Sequence, residues 1–222
     1  LTTAFIEFLA RHNAIRFGEF MLKSGRLSPY FIDLGVLTSG STIAELGKYY
    51  ASKIHESFGT GFDVVFGPSY KGIPLAISAT IALQANHSIE KKWLFDRKEM
   101  KLHGADANSL FVGSQGIDEG AKVVIVDDVF TTGGTKVEAI SKLEKSLKAE
   151  VIGIVIAVDR LEIGRRRAAT IEFSEDSGIP VHPITNINAI FDHLRNREVD
   201  KKIFVPDKLY HSYQEYMDKY GK

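Results

Sequence analysis

Apolar positions change their spacing along the chain, and each change marks an element. Phe5, Phe8 and Leu9 recur at helical intervals and predict an amphipathic first helix. After it, "AIRFGEFMLKSGRLSPYFIDLG" alternates like a hairpin, with Ser24-Gly25 as its turn. Ser41 suits the N-cap of a helix that carries Ile43, Leu46, Tyr50 and Ile54 on one face. From there the pattern becomes strand, glycine loop, helix. "FDVVF" runs into "GPSYKG" and "IPLAISATIALQ"; "KKWLF" runs into a long polar stretch; "KVVIV" runs into "DDVFTTGGT" and "KVEAISKLEKSL"; "VIGIVIAV" runs into "DRLEIGRRR". "IPVHPI" is a further candidate strand, and helices are expected near 187–197 and 207–220. Near-continuous β-branched runs separated by helices imply an α/β fold: a mainly parallel sheet covered on both faces, with right-handed crossovers. The antiparallel annex precedes it.

Composition narrows the classes. A chain of 222 residues suits one α/β domain with a small subdomain. The 28 basic residues balance the 28 acidic ones, so no global field points to a nucleic acid or a membrane, and any anion site must be local. The absence of cysteine removes disulfides, thiolate metal sites and cysteine nucleophiles. No apolar run approaches the roughly 18 residues needed to span a bilayer, and "LTTAFIEFLARHNAI" is interrupted by Glu7, Arg11 and His12, which reads as a helix and not a signal peptide. The cytoplasm is the expected compartment.

In an open parallel sheet, ligands sit beyond the carboxyl ends of the strands. The polar punctuation falls there, most densely in "VVIVDDVFTTGGT" at 123–135. A lone strand-end aspartate is ordinarily a cap, but Asp127 and Asp128 are adjacent carboxylates that need hydroxyls, cations or backbone donors. Thr131, Thr132, Gly133, Gly134 and Thr135 follow them. Glycines let backbone N–H groups converge, threonines add hydroxyls, and the next helix presents its positive N-terminus. Carboxylates ahead of a phosphate cradle match the two ends of a ribose 5-phosphate. Both G-x-G-x-x-G and G-x-x-x-x-G-K-[ST] are absent, which argues against a Rossmann oxidoreductase or a P-loop kinase.

This stretch resembles the 5-phosphoribosyl 1-pyrophosphate (PRPP) motif of the type I phosphoribosyltransferases. "KSGRLSPYFIDLG" at 23–35, "GPSYKGIPLA" at 67–76 and "FDRKEMKLHG" at 95–104 narrow the resemblance to the orotate phosphoribosyltransferase branch, in its bacterial and fungal single-function form. One departure stands out: many relatives read Thr-Ala-Gly-Thr where this chain has Thr131-Thr132-Gly133-Gly134. The resemblance covers essentially the whole chain. It implies a type I phosphoribosyltransferase fold over 1–222, with an N-terminal hood at 1–40 contributing to the base pocket and a flexible catalytic lid at 97–113.

The implied activity is transfer of the 5-phosphoribosyl group from PRPP to N1 of orotate, with Mg²⁺ as the required ion. Lys101, Arg97, His103 and Asp128 are the implied catalytic residues, the first three stabilising the departing pyrophosphate. PRPP contacts are implied for Lys23, Tyr70, Lys71, Arg97, Lys98, Lys101, His103 and the run Asp127, Asp128, Val129, Phe130, Thr131, Thr132, Gly133, Gly134 and Thr135. Orotate contacts are implied for Tyr30, Phe31, Thr131 and Arg160. No dedicated metal cage is expected, Mg²⁺ being held mainly through PRPP with help from Asp127 and Asp128. In the family the lid crosses a homodimer interface, so Lys101 and His103 are expected to act on the neighbouring subunit's site. A purine phosphoribosyltransferase and a non-catalytic PRPP-sensing regulator stay open as alternatives. "RRR" at 165–167 reads as a solvated loop and not a nucleic-acid patch, Trp93 as core, and His182, His193 and His211 lack metal-ligand spacing.

Overall fold

Alternation along two long central strands sets the architecture. The computed structural model describes residues 2–22, 25–99, 110–130 and 133–221. Its elements are α1 (Thr2–Arg11), β1 (Ile15–Met21), β2 (Leu27–Ile32), α2 (Gly40–Phe58), β3 (Val64–Phe66), α3 (Gly72–His87), β4 (Lys92–Asp96), β5 (Phe111–Val112) and β6 (Lys122–Val129). They continue with α4 (Gly134–Leu147), β7 (Glu150–Asp159), α5 (Ala169–Ser177), β8 (Val181–Asn186), α6 (Ile187–Leu194), β9 (Glu198–Val199), β10 (Lys202–Ile203) and α7 (Asp207–Tyr220). The main sheet has the order β5-β4-β3-β6-β7-β8, parallel except for the edge strand β5.

In β6, Val124 and Val126 join a core with α1, α2, α3, α6 and α7, whereas Val123 and Ile125 join a second core with α4. The same division runs through β7, with Val155 and Ala157 on one side and Ile154 and Ile156 on the other. A strand's two-residue period therefore makes two cores from one sheet. The hairpin β1–β2 is antiparallel, with Gly25 in the left-handed region at φ 78° and its N–H donating to Leu22 O; Ser24 lies outside the described residues.

Several expectations need correction. The side chain that caps α2 belongs to Ser39, whose Oγ accepts from the N–H of Thr42, and not to Ser41. The stretch at 97–113 is not wholly irregular, because Phe111 and Val112 pair with Asp96 and Phe95 of β4. Phe111 is buried between layers, which a two-residue strand cannot announce by periodicity. Helix α5 was not foreseen, since its polar sequence "ATIEFSEDS" carries little apolar spacing. Trp93 is half-buried, stacked on Phe95 at 5.8 Å, and is not core.

Helices α2 and α3 make their closest approach at Gly47, where an added Cβ would lie 2.5 Å from the carbonyl oxygen of Ser78. The obstacle is backbone, which cannot rotate away. Gly47→Ala is expected to destabilise the protein by about 1–3 kcal/mol through overpacking, visible as a lowered midpoint in urea unfolding; an unchanged midpoint would show that the two helices are free to separate.

Candidate functional site

The site is built where three strand ends meet two helix starts. Beyond β4 and β6 opens a cleft of about 330 Å³, bordered by the 68–71 loop and the first turns of α4. Gly67 and Gly72 pinch that loop: a Cβ on Gly67 would sit 1.9 Å from Gly72 O, so only glycine lets the backbone close there. The buried carboxylate of Asp96 accepts from the N–H of Ser69 at 2.8 Å, and Lys142 Nζ donates to its other oxygen at 3.1 Å. The loop is thereby fixed to the sheet, with Tyr70 71% exposed on its crest.

The paired aspartates are part of β6, which continues to Val129, so their side chains follow the strand alternation to opposite faces. Asp127 turns toward α4, where Lys136 Nζ lies 2.5 Å from its Oδ2. Asp128 turns toward α3, where Lys71 Nζ donates to its Oδ2 at 3.1 Å. Each carboxylate therefore has a lysine of its own. Lys71 also reaches Asp33 at 3.5 Å, linking the N-terminal segment to the site. Burial opposes the charge on Lys71, but Asp128 and Asp33 outweigh it and hold the ammonium above its ordinary value. For Asp127, burial pushes the carboxyl up and the neighbouring Asp128 adds to this, while Lys136 opposes both. Tyr50, fully buried on α2, donates to the carbonyl oxygen of Asp127 at 2.7 Å and anchors the strand end from below.

The Lys136–Asp127 pair outweighs the exposed ion pairs. Lys136 is 4% exposed and also donates to Val129 O at 2.9 Å, so removing one partner would leave a buried charge, a loss on the order of 3–5 kcal/mol. By contrast, Arg165 and Arg167 of "RRR" pair with Asp176 and Glu175 of α5 at exposed positions, each worth roughly 0–1 kcal/mol. Their main-chain N–H groups wrap the Glu172 carboxylate, which gives that loop its shape.

Among the sequence-predicted residues, Tyr70, Lys71, Lys98, Asp127, Asp128, Val129 and Thr135 converge on the cleft. Gly133 stands at the N-cap of α4 at φ 77°, in the left-handed region, and Gly134 opens the helix. Arg97, just after β4, is half-buried, its N–H donating to Leu110 O and its Nε without a hydrogen-bond partner among the described residues. Lys23, Lys101, His103, Thr131 and Thr132 lie outside the described residues. Four predicted ligands, Phe130, Tyr30, Phe31 and Arg160, do not line this cleft. Phe130 is 3% exposed and packs on Phe173, so its side chain is core. Tyr30 is fully buried, with no ring face left for a base, whereas Phe31 is half-buried against Phe20. Arg160 is 8% exposed and paired with Glu162.

Asp96, Lys136, Lys142 and Asp33 were not foreseen. Lys136 left a trace: a cation in the first turn of a helix opposes the helix dipole and calls for a nearby carboxylate. The cleft is lined by four lysines (Lys71, Lys98, Lys136, Lys142) and four carboxylates (Asp96, Asp127, Asp128, Glu138), so its described wall carries no surplus charge. A polyanion would need further cations. Among the described residues no three His, Asp or Glu side chains converge as a metal cage. Asp127 and Asp128 each have Oδ2 on a lysine and Oδ1 on a main-chain N–H, so they can offer Mg²⁺ only an oxygen already shared with a donor, which suits an ion that keeps waters and phosphate ligands.

Comparison with known proteins agrees with this geometry. The family model described as "Phosphoribosyl transferase domain" matches residues 36–176. The orotate phosphoribosyltransferase of Bifidobacterium adolescentis is 42% identical over 225 residues, covering 98% of this chain and 96% of that protein. That of Agathobacter rectalis is 37% identical over 219 residues, with the same coverage of 98% and 96%. The crystal structure of orotate phosphoribosyltransferase from Francisella tularensis superposes with a TM-score of 0.81 at 35% identity, covering 98% of this chain and 96% of that one. The chain belongs to the phosphoribosyltransferase family and, within it, to the orotate phosphoribosyltransferases.

Proposed function

We propose that this protein transfers the 5-phosphoribosyl group of PRPP to N1 of orotate, forming orotidine 5′-monophosphate and releasing pyrophosphate. The observation that carries the reading is the end of β6: Asp128 faces a cleft it shares with Tyr70, Lys71, Lys98 and Thr135, ahead of the N-terminus of α4. In this reading Asp127 and Asp128 hold the ribose hydroxyls, and Thr131, Thr132, Gly133, Gly134 and Thr135 hold the 5-phosphate through backbone N–H groups and hydroxyls. Tyr70 and Lys71 meet the pyrophosphate.

The balanced wall of the cleft gives the lid its task. Pyrophosphate carries several negative charges, so Lys23, Arg97, Lys101 and His103 join Lys98 of the wall and supply the cations that the balanced wall lacks. Mg²⁺, bound mainly through PRPP with Asp127 and Asp128 at its edge, supplies charge neutralisation of the diphosphate. As the glycosidic bond to pyrophosphate breaks, positive charge grows on the ribosyl carbon and negative charge on the leaving group. Excluding water prevents hydrolysis of that species, and no protein nucleophile is required. Orotate is oriented by Phe31 and Thr131, with Arg160 receiving its carboxylate. The active unit is a homodimer, Lys101 and His103 of the partner subunit completing each site. The proposed chemistry is that of a cytoplasmic biosynthetic enzyme; no described helix is long and apolar enough to cross a membrane.

Three outcomes are expected. Incubated with PRPP, Mg²⁺ and one free base at a time, the protein consumes orotate and leaves adenine and hypoxanthine untouched, read by absorbance and product chromatography; consumption of a purine without orotate would refute the assignment. Asp128→Asn raises the KM for PRPP about tenfold, a loss of roughly 1.4 kcal/mol, with an unchanged KM excluding the ribose role. Lys101→Ala lowers kcat about 10²–10³-fold while PRPP affinity measured by calorimetry changes little, because the contact strengthens only as charge leaves. Undiminished turnover would remove the lid from the mechanism.

A further inference from the structure

The loop after β7 carries a charge cluster of which the proposed transfer chemistry uses only Arg160. Glu162 Oε1 accepts from Arg160 Nε at 2.9 Å and from the Arg160 terminal nitrogen at 2.5 Å. Tyr216 Oη on α7 donates to the same oxygen at 2.6 Å, and the Tyr30 hydroxyl stands 3.5 Å away. Arg26, from the hairpin, faces the other carboxylate oxygen at 3.8 Å. The Arg160 guanidinium lies over the Tyr30 ring, 4.8 Å from its centroid. The cluster joins three parts of the chain: the hairpin, the loop after β7 and α7.

Backbone geometry holds the cluster in place. Leu161, between the two charged residues, has φ 52°, a left-handed conformation unusual for leucine, and its N–H donates to Asp159 Oδ1 at 2.8 Å. This turn brings the side chains of residues 160 and 162 together. The N–H of Ile163 donates to Tyr220 O at 2.8 Å, tying the loop to the end of α7. A guanidinium has five N–H donors in a rigid fork, and Glu162 engages the Nε edge through one oxygen. Glu162 takes up Nε and one terminal nitrogen, so the second terminal nitrogen lies outside that pair. Two arginines around one glutamate leave one positive charge over, which is what an incoming carboxylate needs.

We propose that Glu162, held by Tyr216 of the C-terminal helix, is a positioning residue that turns the outer edge of Arg160 toward the carboxylate of the acceptor base. Glu162 acts through Arg160 and does not touch substrate. This rests on the reading of the chain as an enzyme that accepts orotate. A C-terminal helix that contributes nothing to the cleft thereby takes part in base selection.

Steady-state kinetics on the full chain test it, with KM measured separately for orotate and PRPP and melting temperature recorded for each variant. Glu162→Gln is expected to raise the orotate KM about tenfold, leaving the PRPP KM within about twofold and kcat at saturating orotate within about threefold. Tyr216→Phe shifts the same parameter in the same direction by less. Arg160→Lys raises it most, and Glu162→Gln placed on Arg160→Lys adds no further loss, as expected of residues acting in series. A general loss of packing would instead move both KM values and the melting temperature together. An unchanged orotate KM in Glu162→Gln, or equal losses for both substrates, overturns the proposal. If Glu162→Gln does not fold, Tyr216→Phe alone decides it. An unchanged orotate KM in Arg160→Lys would refute the carboxylate role of Arg160 itself, which separates that failure from this one.

Discussion

Two carboxylates at adjacent positions of a buried strand end would repel one another if both faced the same space. In β6 they do not, because a strand sends successive side chains to opposite faces, and each face here supplies a lysine from the helix packed on it. Most of the site follows from this. Lys136 must sit in the first turn of α4 to reach Asp127, which sets where that helix begins. Lys71 must sit at the start of α3 to reach Asp128, which sets the path of the 67–72 loop. The two cores on either side of the sheet hold these helices at the required distance.

Charge balance at this point has a functional meaning. A cleft already neutral in its walls neither collapses on itself nor binds a polyanion tightly without help. On the proposed reading, affinity for the diphosphate depends on cations beyond those of the described wall. A scaffold that keeps its own carboxylates paired is stabilised without substrate, and in the proposed mechanism the reactive electrostatics are completed only on substrate binding. The Arg160–Glu162 cluster follows the same logic at the base end, where an internal carboxylate occupies one edge of a guanidinium and leaves the other edge charged and oriented.

Much of the fold was legible in the residues alone, because a parallel sheet covered on both faces demands long β-branched runs, and "KVVIV" and "VIGIVIAV" admit few other readings. The glycine turns, the first helix and the hairpin were also local matters of spacing and backbone preference. Short or polar elements were not legible. β5 has two residues, α5 has almost no apolar stripe, and the choice of Ser39 over Ser41 as a cap depends on one turn of backbone geometry. At the site, residue type and order in the motif at 123–135 pointed to a ribose-phosphate cradle, and its described residues Asp127, Asp128, Val129 and Thr135 line one cleft.

What the sequence determined by itself was therefore the sheet, the strand ends and the residues that crowd around them, because these depend on periodicity and on contacts between near neighbours along the chain. Which of those side chains face the cleft was decided only by the tertiary structure. Tyr30 and Phe31 are adjacent in the hairpin and chemically alike, yet Tyr30 is core because α7 and the loop after β7 close over it, and neither element is near it in sequence. Lys136 and Asp127, or Arg160 and Tyr216, became partners for the same reason: their distances are set by how helices pack on a sheet, and a linear pattern of residues does not contain those distances.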